Sequence, residues 1–153
     1  MKGIYSYPTV ILRHARENLK KCSLRGLEGR GDFLFFTYPR DTLPDLSGYL
    51  LLRVDAPSLS PADCNRGLFL LDATWRLAEK MGKSLPPNLE VRSLPSHFRT
   101  AYPREQTDCP DPERGLASIE ALFLSYYLMG RSTEGLLDNY YWRTLFLEKN
   151  CLV

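Results

Sequence analysis

The sequence predicts an α/β fold, a parallel sheet followed by helices, and three observations carry that prediction. Four short runs in the first half, Thr9 to Arg13, Phe33 to Tyr38, Tyr49 to Val54 and Leu68 to Asp72, favour extended backbone and are separated by breakers. The runs are continuously rather than alternately apolar, as in Leu68-Phe69-Leu70-Leu71, which suits strands covered on both faces of a parallel sheet. Towards the end of the chain the apolar residues change to helical spacing.

Between the strands, Lys20 to Glu28 and Ala62 to Arg66 read as short helical connections, the second opened by Ser60 as N-cap and Pro61 in the first turn. Thr74 to Met81 reads as a further helix that Gly82 stops. Pro86-Pro87-Asn88 cannot continue it, which places a boundary near residue 85: an α/β lobe over residues 1–85 and a helical lobe over 86–153. In the second lobe Ile119, Leu122, Phe123, Tyr126 and Tyr127 follow i, i+3, i+4, i+7, i+8 spacing, with Ser118 as N-cap and Gly130 as the stop. A last helix is expected from Thr133 to Lys149, with Leu137, Tyr140, Tyr141 and Leu145 on one face. Tyr102 to Pro112, with three prolines, has no packing pattern and is expected to be a mobile loop.

At 153 residues and 17.6 kDa, with 44% hydrophobic and 25% charged residues, the chain is long enough for a real core and is composed like a soluble globular protein. It contains no apolar run of about 18 residues and no secretion signal, so a soluble, cytosolic protein is expected. The four cysteines are far apart, with no C-x-x-C pair and only His14 and His97 as further ligands, so no structural metal is expected and the thiols are read as reduced. The net charge of +2 is unevenly spread: residues 13–30 hold six cations against Glu17 and Glu28 and carry +4. Such a segment is either a solvated surface or a dock for a phosphate backbone.

Most motif chemistry is excluded. Gly26, Gly29 and Gly31 precede a strand instead of linking a strand to a helix, so they are no dinucleotide loop, and neither a Walker lysine motif nor a G-x-S-x-G elbow occurs. The informative spot is Leu71-Asp72-Ala73-Thr74-Trp75, where a buried strand ends in an acid and passes into a helix. In open parallel sheets ligands bind beyond the carboxyl ends of the strands, which is where Asp72 stands. The bland alternative makes Asp72 a helix cap and Trp75 core.

Leu59-Ser60-Pro61-Ala62-Asp63, then Gly67-Leu68 and Leu71-Asp72-Ala73-Thr74-Trp75, resembles the L-S-P-x-D…G-L-x-x-x-D-C-S-W block of the ribosomal RNA aminocarboxypropyltransferases. Lys20-Lys21-Cys22-Ser23-Leu24-Arg25 is similar to that family's K-K-C-T-G-x-K segment. Arg92-Ser93-Leu94-Pro95, Ala101-Tyr102-Pro103, Ser118-Ile119-Glu120-Ala121 and Trp142 with Phe146-Leu147-Glu148 and Asn150 resemble its R-L-L-P, A-N-P, C-V-E-A and W-G-x-x-F-L-E-x-N elements. The order is kept from Lys20 to Asn150. The D-x-T-W form also resembles the DTW-domain proteins, which transfer the same group to a uridine of transfer RNA. Departures are Arg104-Glu105-Gln106 in place of N-Y-G, Leu51-Leu52-Arg53 in place of a first L-S-P, and Ala73-Thr74 in place of Cys-Ser.

The resemblance implies a SPOUT-like parallel-sheet lobe with a deep trefoil knot, an all-helical C-terminal lobe, and a monomer. It implies S-adenosylmethionine as cofactor and transfer of its 3-amino-3-carboxypropyl chain to N3 of a uridine-derived base in ribosomal RNA or a small-subunit precursor. The same transfer on transfer RNA, a SPOUT-type RNA methyltransferase and a non-catalytic ribosome-assembly factor stand as alternatives. Ser23, Leu51, Leu71, Asp72, Trp75, Leu94 and Ser118 are the expected cofactor contacts. Asp72 is the candidate base for the N3 proton, its other roles being acceptance from the ribose or capping. Arg13, Arg16, Lys20, Lys21 and Arg25 are expected to form an RNA-docking stripe.

Overall fold

The computed structural model describes residues 7–16, 23–103 and 115–152, with Trp75 described by its backbone alone. Five parallel strands, β1 (Thr9–His14), β2 (Phe33–Tyr38), β3 (Tyr49–Leu52), β4 (Gly67–Asp72) and β5 (Glu90–Arg92), form one sheet in the order β2-β1-β4-β3-β5. The helices are α1 (Trp75–Gly82), α2 (Ser118–Met129) and α3 (Arg143–Lys149). Among the described residues no helix is long and apolar enough to cross a membrane.

The continuous apolarity of the strands has the expected cause. Alternate side chains feed two cores on opposite faces of the sheet. Ile11, Phe33, Leu50, Leu68 and Leu70 pack with Ile119, Leu122 and Tyr126 of α2 and with Phe146 of α3. Val10, Leu12, Leu51 and Phe69 pack with Met81 of α1. The interior strand β1 is buried along its whole length, flanked on both edges by β2 and β4 and covered on both faces. Thr9 marks the α2 face, its hydroxyl 2.6 Å from that of Tyr126.

Several expected boundaries move. β3 stops at Leu52 because the backbone turns away at Asp55, which has φ +57°. β5 was not foreseen: it lies past residue 85 and pairs with β3, so the segment 86–153 contributes to the sheet and is not wholly helical. Of the helix expected over Lys20 to Glu28, residues 20–22 lie outside the described residues and 23–28 form turns, where Gly26 takes φ +99° against Asn139. The connection before β4 is a single 3-10 turn, Pro61–Asp63, with Ser60 and Asp63 as a reciprocal capping box. The last helix is confined to Arg143–Lys149, since Gly135 at φ +79° belongs to turns that occupy 134–139. Leu137 and Tyr140 are buried as expected, but Tyr141 is 84% exposed, so the predicted stripe is not one face. Most of the segment Tyr102 to Pro112, residues 104–112, lies outside the described residues.

Candidate functional site

The sheet order reverses between β1 and β4: the chain leaves β1 for β2 on one side and leaves β4 for β5 on the other. That is the switch point where open parallel sheets hold ligands. At its carboxyl end Arg13 and Asp72 are register partners and, by strand alternation, point to the α2 face.

Asp72 is 3% exposed. Its Oδ2 accepts from Arg13 Nε at 3.0 Å and its Oδ1 from Ser118 Oγ at 2.8 Å. The first bond links neighbouring strands; the second reaches from the sheet to the first turn of α2. Ser118 thus stands at the first helical position rather than at the N-cap, which is Ala117, and its hydroxyl is turned to the carboxylate. Asp72 does not cap α1 either, whose N-cap is Thr74. Ser23 Oγ accepts from the backbone N–H of Ile119 at 3.1 Å, so the two expected contacts Ser23 and Ser118 meet at one helix start.

Arg13 is placed otherwise than expected. It is 7% exposed, its guanidinium stacks over Phe35 at 4.8 Å, and Nη1 donates to Glu28 Oε2 at 3.3 Å. A cation so paired and covered cannot join a surface stripe, because the strand position that makes it a neighbour of Asp72 also turns it inward. Partial burial raises the pKa of Glu28, but donation from the backbone N–H groups of Glu28 and Gly26, with the Arg13 charge, outweighs it and holds the carboxyl below its usual range. Arg16 and Arg25 are exposed; Lys20 and Lys21 lie outside the described residues.

The expected leucine contacts are split between faces. Leu51 and Leu71 belong to the α1 side of the sheet, whereas Leu94 packs against the α2-side core. Trp75 opens α1 three residues after Asp72. Partly exposed Leu52, Tyr102 and Leu116 join Leu94 on the α2 side. A cleft of about 230 Å³ lies at the opposite, amino end of β3, β4 and β5 and is lined by Asp45, Tyr49, Arg66, Asn88 and Glu90 among others.

Two motif residues acquire a role that the sequence did not give them. Glu120 is fully buried and accepts from Thr100 Oγ1 (2.6 Å), Ala101 N (2.8 Å), Ala117 N (2.8 Å) and Tyr140 Oη (2.8 Å). Asn150 accepts from Arg99 N at 2.7 Å and donates to Arg99 O at 2.8 Å. Together they clamp the Arg99–Ala101 backbone beside the start of α2. An acid in the first turn of an otherwise apolar helix was the available signal.

The fold matches that of a solved structure, the SAM-dependent rRNA:acp-transferase Tsr3 from Vulcanisaeta distributa, with a TM-score of 0.70 and 25% identity over 94% of this chain and 79% of that one. No protein-family model matches the chain, and no curated protein does. The likeness shows a mixed α/β architecture of the same class as that transferase.

Proposed function

We propose that this protein transfers the 3-amino-3-carboxypropyl group of S-adenosylmethionine to N3 of a uridine-derived base in ribosomal RNA. The observation that carries the proposal is the structural match to an rRNA:acp-transferase over 94% of the chain, joined to motif residues that converge at the switch point of the sheet.

The residues at the carboxyl end fit the cofactor. Half-exposed Leu52, Leu94, Tyr102 and Leu116 offer apolar surface, and Ser23, Ser118 and Asp72 supply two hydroxyls and a carboxylate within one hydrogen-bonded frame. When bound, S-adenosylmethionine supplies a sulfonium flanked by three electrophilic carbons. The protein's part is orientation: it presents one of those carbons in line with the nucleophile. Asp72 would accept from the nucleoside's hydroxyls, with Ser23 and Ser118 beside it and Trp75 following at the start of α1. The carboxylate's burial and its contacts to Arg13 and Ser118 support this binding role over that of the N3 base. Arg16 and Arg25, with Lys20 and Lys21, are proposed to face the RNA phosphates. A SPOUT-type knot belongs to the same proposal; the insertion of β4 between β1 and β3 supports it.

Incubation with ribosomal RNA and S-adenosylmethionine labelled either in its carboxyl carbon or in its methyl group tests the reading. Label is expected to reach RNA from the carboxyl carbon alone. Transfer of methyl label makes the protein a methyltransferase, transfer to transfer RNA alone changes the substrate, and no transfer with intact RNA binding favours an assembly factor.

A further inference from the structure

Arg13 has no place in the family-like motifs, and as a surface cation it is misread; its surroundings give it a different task. Five contacts close a ring at the carboxyl end of the sheet. Arg13 Nε holds Asp72 Oδ2 (3.0 Å), and Nη1 holds Glu28 Oε2 (3.3 Å). Glu28 Oε1 accepts from Gly26 N (2.8 Å), which fixes the turn that begins at Ser23. Ser23 Oγ then receives Ile119 N, the residue after Ser118, whose hydroxyl returns to Asp72.

The bonds differ in kind. Those to Asp72 and Ser23 join residues 46 to 96 positions apart, so they set tertiary geometry rather than local conformation. The Arg13 guanidinium is planar and presents its donors at fixed angles, and its carbon lies 4.8 Å from the Phe35 ring centre, so one rigid group links two carboxylates on different segments. A lysine would supply the charge without that geometry. Gly26 sits in the left-handed region, with Asn139 filling the space beside its Cα, so the turn has little freedom to adjust if Glu28 is released.

We propose that Arg13 is the positioning residue of the cofactor site: through Asp72 on one side and Glu28 on the other it keeps Asp72 and Ser23 in register on opposite flanks of the α2 start. The inference rests on the reading of this site as one for S-adenosylmethionine. It adds that Glu28, whose side chain is 40% exposed, tunes cofactor affinity from outside the site.

The test uses the full chain and S-adenosylmethionine in calorimetry, with Glu28→Gln, Arg13→Lys and the double variant, and Arg30→Gln as control because Arg30 pairs with Asp32 at the same turn without joining the ring. Glu28→Gln and Arg13→Lys are each expected to weaken binding about tenfold, and the double variant to weaken it no further than the stronger single one, since both open one ring. Arg30→Gln is expected to leave affinity unchanged. The Ile119 amide resonance reports the far side of the ring and is expected to shift in Glu28→Gln. A structural role limited to the turn would move Gly26 alone. Unchanged affinity in folded Glu28→Gln, or strictly additive losses, overturns the proposal. Failure of the unmodified protein to bind S-adenosylmethionine instead overturns the cofactor reading.

Discussion

At the residue scale the buried pair of Arg13 and Asp72 dominates. Removing one partner of such a pair leaves a charge in an interior that cannot solvate it, at about 3–5 kcal/mol. Asp72→Ala leaves Arg13 with Glu28 as counter-ion, so it is expected to cost less than that in chemical denaturation, about 1.5–3 kcal/mol, whereas loss of an exposed pair such as Arg40 with Asp41 is expected to leave the denaturation midpoint unchanged. His14 supplies a pH dependence. Burial, and then the charges of Arg16 and Lys80, lower its pKa, and its Nδ1 accepts from Arg16 N at 3.0 Å. The unfolded chain therefore takes up the proton more readily than the folded one. The stability due to neutral His14 is complete above the ordinary histidine value of about 6.5 and is lost as pH falls from there through the lower folded value. His14→Asn, which keeps an acceptor in place of Nδ1, is expected to flatten that part of the profile when urea midpoints are compared at neutral and mildly acidic pH. An unchanged slope would contradict it.

At the element scale, the start of α2 is the structural centre of the proposed site, and Glu120 organises that helix start. Glu120→Ala strands two backbone N–H groups and two hydroxyls in the interior, each worth about 1–3 kcal/mol when unsatisfied, although relaxation and water will recover part of the sum. The expected net loss is about 3–5 kcal/mol, with hydrogen exchange accelerated first at Ala101 and Ala117; an equally protected Ala101 would show that the clamp is redundant. This role also shows where sequence reading reaches its limit. The apolar runs of the strands were legible because burial on two faces leaves continuous apolarity, and α2 was legible as an apolar helix; its predicted stripe is not the buried face, since Leu124 and Ser125 are buried with it and Tyr127 is exposed. The partners of Glu120 are not, since Thr100 and Tyr140 come from irregular segments with no period at all. The short strand β5 was missed for the same reason: its three residues are too few for a pattern, and pairing with β3 alone makes it a strand.

For the whole molecule, topology explains which sequence expectations converged. Asp72, Ser23 and Ser118 lie far apart in the chain, yet a parallel sheet that reverses direction between β1 and β4 brings strand ends and the α2 start to one place. The charge pattern was legible only as composition. Nothing in the +4 of residues 13–30 reveals that Arg13 turns inward, because strand alternation relative to the core decides that, and it is fixed only once β1 lies between β2 and β4. The same alternation separates Leu51 and Leu71 from Leu94, so a ligand touching all three must lie across the sheet's carboxyl edge rather than against one face.

The central claim is that S-adenosylmethionine binds at this carboxyl edge. A titration followed by backbone amide resonances tests it most directly. Shifts are expected at Ser23, Ala73, Leu94 and Ser118, while Ser47, Gly48 and Asn88 at the amino end stay still. Shifts confined to the cleft around Tyr49 and Glu90, or none at saturating cofactor, would contradict the claim.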